Sequence, residues 1–179
     1  MDPIASLTTE HRLIERVLQA LGRAATLGRE GRPLPLELFT DAVAFIRRYA
    51  DRVHHTKEEV LLFPLLEKAG LPREAGPIGC MLDEHESGRR FTGAIHQAAD
   101  LVGRGDLNAM APLCQAADAY AQHMTMHIQK EDGVLFVMAR RLIRPEDMEE
   151  LGSAFARVDA ETPGFEASAI AVAARLPPS

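Results

Sequence analysis

The segment HHTKEEVLLF, His54 to Phe63, returns 73 residues later as HIQKEDGVLF, His127 to Phe136. Five of the ten aligned positions are identical, and Glu59 against Asp132 and Leu61 against Val134 are conservative. His54 falls on His127, Lys57 on Lys130 and Glu58 on Glu131, whereas His55 falls on Ile128 and has no counterpart. A second match lies at an offset of 74, Glu10-His11 against Glu84-His85. The chain therefore reads as two halves, each carrying one lone His and one His-x-x-x-Glu. Repeated packing accounts for Leu62 with Leu135 and for Phe63 with Phe136. It does not account for acids and imidazoles at the same register.

The register is helical. Ile4, Leu7, Ile14, Leu18, Leu21 and Ala25 follow the three-and-four spacing of a buried helix face once His11 is counted into it. Asp2-Pro3 supplies a cap and a first-turn proline, and Gly28, Gly31, Pro33 and Pro35 end the helix. A second helix is expected from about residue 36 to 68, with the seam Leu36, Phe39, Val43, Ile46, Ala50, His54, Glu58, Leu61, Leu65 and a disturbance at Pro64. A third, from about 78 to 102, carries Ile78, Met81, His85, Gly88, Thr92, Ile95, Ala99 and Val102. A fourth follows a cap at Asp106, with the seam Leu113, Ala116, Tyr120, His123, His127, Glu131, Val134, Met138. Arg144-Pro145 breaks it, a shorter helix is expected from Glu146 to Val158, and an Ala-rich stretch after Thr162-Pro163-Gly164 has no assigned place. No run has the period of two that a strand needs. The expected fold is all-α: an antiparallel up-down four-helix bundle over residues 1–144, with a C-terminal helical extension, 145–179, packed on it.

Length and composition exclude several alternatives. A chain of 179 residues with 46% hydrophobic and 26% charged residues suits one domain with a full core. Twenty basic against 26 acidic residues, a net charge of −6, lacks the basic footprint of a nucleic-acid binder. No apolar run approaches the roughly 20 residues that span a bilayer, so no membrane is expected. The N-terminus MDPIASLTTEHRLIERV has neither the basic nor the apolar region of a signal peptide, and two separated cysteines, Cys80 and Cys114, read as small buried apolar residues. A cytoplasmic location is the expectation.

Seam positions occupied by His and Glu point to metal. Residues four apart share a helix face with Cβ atoms about 5–6 Å apart, so His54 with Glu58, and His127 with Glu131, point the same way. A buried unpaired carboxylate costs several kcal/mol. Two carboxylates facing each other across a bundle call for a shared proton or a cation between them. Imidazole nitrogen and carboxylate oxygen suit iron, manganese or zinc. The candidate ligands are His11, His54, Glu58, His85, His127 and Glu131. These are too many for one tetrahedral zinc with an open position, and suit two metals bridged by Glu58 and Glu131. Chain order pairs His11 with His54 and His85 with His127; pairing across the halves is equally compatible. His55 and Glu59, rotated by about 100° from the seam, are expected around the site or at the surface. His96 is expected in solvent, Tyr120 in the core with its hydroxyl bonded, and His123 either as a further donor or behind the ligands.

With EHRLIE, HHTKEEVLLFPLLE, EHESGR and HIQKEDGVLF on one chain, residues 4 to 142 resemble the hemerythrin-like, or HHE cation-binding, family. The resemblance implies a four-helix bundle holding a non-haem, carboxylate-bridged di-iron centre. Oxygen-carrying members have two His one turn apart on the third helix, and five in all. Here Arg89 and Met81 stand four residues on either side of His85. The carriers' fourth-helix acid lies five residues after its His, where this chain has Asp132. The likeness extends to the His-poorer branches, which include sensors and iron–sulfur repair proteins. The implied function is binding or sensing of dioxygen or a related small oxidant. The alternatives are a di-iron enzyme in peroxide or nitric oxide detoxification or iron–sulfur repair, dependent on an external electron donor, and metal storage.

Overall fold

A computed structural model describes residues 2–161 and 164–175, and these form helices with no strand. The Thr162-Pro163 part of the expected break and the last four residues of the expected extension lie outside the described residues. Helix α1 (Pro3–Arg29) begins where the Asp2 carboxylate accepts from the Ile4 and Ala5 amides, as its Asp-Pro start predicts. The second rod comprises α2 (Leu36–Phe45), two π-helical stretches (Ile46–His54 and Lys57–Leu62) and α3 (Phe63–Lys68). The third is α4 (Gly76–Gly103). A short 3-10 turn (Leu107–Ala109), capped by Asp106, leads into α5 (Met110–Lys130), a π-helical stretch (Glu131–Leu135) and α6 (Phe136–Leu142). The chain closes with α7 (Pro145–Ala160) and α8 (Phe165–Ala174), the latter formed by the Ala-rich stretch. No helix among the described residues is long and apolar enough to cross a membrane.

Two apolar clusters organise the packing. One holds Ile4 and Leu7 of α1, Leu62, Phe63 and Leu66, Ile78 and Met81 of α4, and Leu135, Phe136 and Ala139. The other holds Ile14 to Ala25 of α1, Leu38 to Ala50, Ile95 to Ala99, and Leu113 to Ile128. Each rod crosses from one cluster to the other, and the order of crossing alternates along the chain. α1 lies against α5, α5 against α4, and α4 against α2. Leu151 and Phe155 of α7 join the first cluster, and Ala169 and Val172 of α8 join the second. The layer between the clusters is polar yet buried, and it contains every candidate ligand. Close approach of α4 to α5 at this layer depends on Gly88, where a Cβ would stand 3.1 Å from the Met124 sulfur.

The π-helical stretches shift the expected seams. The amides of His55, Phe63 and Phe136 donate to the carbonyls of Ala50, Glu58 and Glu131, five residues back rather than four. Each such turn holds an extra residue, so the chain leaves it rotated by about one position. After Glu58 the buried residues are Leu62, Phe63 and Leu66, not Leu61 and Leu65; after Glu131 they are Leu135 and Phe136, and Val134 is 52% exposed. Pro64 sits in the first turn of α3, directly after the π-helical stretch, so the disturbance expected there coincides with a change of helical winding in a continuous rod.

Candidate metal centre

Four rods deliver side chains to the polar layer. α1 brings His11, the second rod brings His54, His55 and Glu58, α4 brings His85, and the fourth rod brings His127 and Glu131; all seven are buried. Potential ligand atoms form two groups. In His11, His54, Glu58 and Glu131 they lie within 4.8 Å of one another, and the same holds in His55, His85 and His127. The carboxylates reach both groups. Glu58 places one oxygen 3.6 Å from His54 Nε2 and the other 3.5 Å from His85 Nε2. Glu131 Oε2 lies 3.2 Å from His11 Nε2 and 3.3 Å from His127 Nε2, and Oε1 lies 3.9 Å from His85 Nε2.

His55 corrects the sequence reading. Expected around the site or at the surface, it is buried, stacks on the His85 ring at 3.8 Å and joins the His85–His127 group. The π-helical winding that ends at His54 turns the chain by less than an α-helix does per residue, so two consecutive imidazoles face inward. The His-His doublet beside a helical seam was the available signal. His123 stays outside the cluster, donating from Nε2 to the Glu84 carbonyl at 2.9 Å. Tyr120 is a buried core residue, and His96 is exposed. Of the cysteines, Cys114 is buried as expected, whereas Cys80 is exposed, its thiol 3.6 Å from Glu84.

A ring of acids orients the imidazoles. Asp132 holds His11 Nδ1 at 2.8 Å, Glu10 holds His54 at 2.8 Å, Asp51 holds His55 at 3.1 Å, Glu59 holds His85 at 2.7 Å and Glu84 holds His127 at 3.0 Å. With Nδ1 on its acid, each ring can present Nε2 to a metal at the centre, the arrangement that metal-binding imidazoles adopt. Cations hold the acids in turn: Lys57 on Glu10, Arg12 on Asp132, Arg89 on Glu59 and Lys130 on Glu84. This ring repeats with the duplication. His11–Asp132 corresponds to His85–Glu59, His54–Glu10 to His127–Glu84, and Lys57 to Lys130. The repeat had registered these acids and lysines as matched letters; their shared task is visible only in three dimensions.

The layer concentrates buried polar atoms that lack partners. His11 Nε2 and all four oxygens of Glu58 and Glu131 are buried without a hydrogen-bond partner. Burial, with Glu131 alongside, pushes the Glu58 carboxyl well above its usual range. Burial would raise Glu131 too, but the imidazoles of His127 and His11 outweigh it and hold that carboxyl at about 2. Burial likewise opposes a charge on His11, yet Asp132 and Glu131 raise it to about 9. The donor atoms are also spaced for sharing. His85 and His127 bring their Nε2 atoms within 3.0 Å, and two nitrogens that each bind one metal at about 2.1 Å stand about 3.0–3.4 Å apart. The residues present thus fit metal, with Glu58 and Glu131 reaching both groups.

Comparison with known proteins agrees with this geometry. The sequence profile of the Hemerythrin HHE cation binding domain matches residues 2–166. Uncharacterized protein Rv1995 and Uncharacterized protein MT2051 of Mycobacterium tuberculosis, and Uncharacterized protein Mb2018 of Mycobacterium bovis, are each 24% identical over 149 residues. That match takes in 83% of this chain and 58% of each relative, so the chain spans well under two thirds of the length of the curated proteins it matches. No solved structure matches it.

Proposed function

Because the chain belongs to the hemerythrin HHE cation-binding family, we propose that it is a non-haem di-iron protein that binds or senses dioxygen or a related small oxidant. His11 and His54 would hold one iron, His55, His85 and His127 the other, and Glu58 and Glu131 would bridge them. The observation that carries this reading is the convergence of five imidazoles and two carboxylates, with the four carboxylate oxygens left without a hydrogen-bond donor in a buried layer. Two irons bound there supply one-electron chemistry toward small oxidants. The rest of the layer supports that role. The acids fix each ring in one tautomer, and the two apolar clusters keep bulk water from the centre. The His11 side would hold its metal with two imidazoles and the other side with three.

The architecture belongs to the same reading. Alternate crossing of the two apolar clusters supports an antiparallel up-down four-helix bundle over residues 1–144. The seating of α7 on one cluster and α8 on the other supports residues 145–179 as an extension packed on it. The proposed setting is cytoplasmic, with no nucleic acid or membrane as partner.

The test is anaerobic reconstitution with Fe(II), metal analysis, and admission of oxygen. Two irons per chain and a new near-ultraviolet or visible charge-transfer band are expected. Tight zinc with no spectral response to oxygen would overturn the proposal.

A further inference from the structure

We propose that α7 is a working part of this centre: Asp159, acting through Lys57 and Glu10, positions His54, so that the extension braces one side of the metal site and not the other. The inference rests on the metal reading above and adds a positioning residue to it. Lys57 is fully buried, a costly place for an ammonium group unless it is well paired. Its Nζ lies 2.5 Å from Glu10 Oε1 and 2.5 Å from Asp159 Oδ1, and 5.3 Å from the centre of the Phe155 ring. Glu10 then has its other oxygen, Oε2, 2.8 Å from His54 Nδ1. Two of the groups around this ammonium, Asp159 and Phe155, come from α7.

The duplication supplies an internal comparison. Lys130 occupies the matching place on the other side, holding Glu84 behind His127, but it is 42% exposed. Among the described residues its ion pair is with Glu84, and no acid of α7 or α8 pairs with it. The same Lys–Glu–His chain is therefore locked by the extension in one half and open to water in the other. Without the Asp159 carboxylate, Lys57 keeps one counter-ion in an apolar setting. The cleft of about 370 Å³ outside Glu10, lined by Asp159, Tyr49, Phe165, Glu166, Arg12 and Arg16, then offers the ammonium water and Glu166 as replacement partners and draws it off its fixed position. Glu10 loses its fixed donor, and His54 loses a fixed partner for Nδ1. Partners of this kind carry about 10–100-fold in metal affinity.

The experiment uses the full chain and Asp159→Asn, with Co(II) as a redox-silent probe and proton NMR of the metal-free protein. Expected in the variant are a shift or loss of the low-field His54 Nδ1–H signal with the His127 signal unmoved, and a roughly tenfold weaker hold on one of two Co(II) equivalents. Asp159→Glu should restore both readouts, and Glu150→Gln, which removes the same charge from the same helix, should leave both as in the parent. Equal movement of both imidazole signals, equal weakening of both equivalents, or no change in either would overturn the inference. A parent chain that takes up no Co(II) would count against the metal reading, and the NMR comparison would still decide whether Asp159 positions His54.

Discussion

His85 and His127, from different rods, point their Nε2 atoms at each other across 3.0 Å. With Glu59 and Glu84 holding the Nδ1 protons, two lone pairs face one another, and only a proton or a cation relieves them. Metal should therefore stabilise the fold strongly. Free metal at a hundred times its dissociation constant contributes about 2.7 kcal/mol per site. A higher Tm with Fe(II) or Co(II), reversed by a chelator, is the expected result. An unchanged Tm would count against the site.

Replacement of one of the two facing acids, Glu58, should separate fold stability from metal binding. Burial and the neighbouring Glu131 make a charge on Glu58 costly in the metal-free layer, and Gln at 58 resembles the protonated acid. Metal-free Glu58→Gln should unfold no earlier than the parent, and up to about 1–3 kcal/mol later. Its metal content should fall from two equivalents to one or none. Chemical denaturation and metal analysis of the same preparation check both halves of this expectation.

His55→Ile installs the residue that the second half carries at the matching position. The three-imidazole side then has two, like its partner. With iron-57 loaded, the two Mössbauer environments should converge, and metal on the His85 side should be held at least about tenfold more weakly. Two environments as distinct as in the parent would show that His55 is not a ligand.

Acid should unfold the metal-free chain partly through Glu10. Burial opposes its charge, but His54 and Lys57 outweigh burial and hold its carboxyl at about 2, below the ordinary 4.5. A carboxyl depressed in the folded state stabilises above its unfolded value, and that contribution is lost as pH falls from about 4.5 toward 2. It amounts to about 3 kcal/mol at most. Glu10→Gln should be less stable at neutral pH and should show a shallower acid loss across that window, measured by urea denaturation at several pH values.

The helices and six of the seven inward donors were legible because a buried face with a 3.6-residue period leaves a regular trace, and His11, His54, Glu58, His85, His127 and Glu131 interrupt that trace at its own spacing. The residues after Glu58 and Glu131 were misplaced by one, and His55 was left between the surroundings of the site and the surface, for a single reason. A π-turn changes the period locally, and nothing in a hydropathy pattern marks where an extra residue has been wound in. The acids behind the imidazoles were invisible for another reason: Asp132 reaches His11 across 121 residues. Such a pair follows from how rods pack, not from spacing within either one. Cys80 was misread because its position was judged by residue type alone.

The acids that reach both donor groups also join the two repeats of the chain. Glu131 approaches His11, Glu58 approaches His85, and Asp132 and Glu59 cross in the same way. A polypeptide of half this length could not complete such a layer alone; it would have to pair with an identical copy, and the two donor groups would then be alike. Held in one chain the halves need not match, and His55, with Ile128 at the matching position, makes the two donor groups unequal.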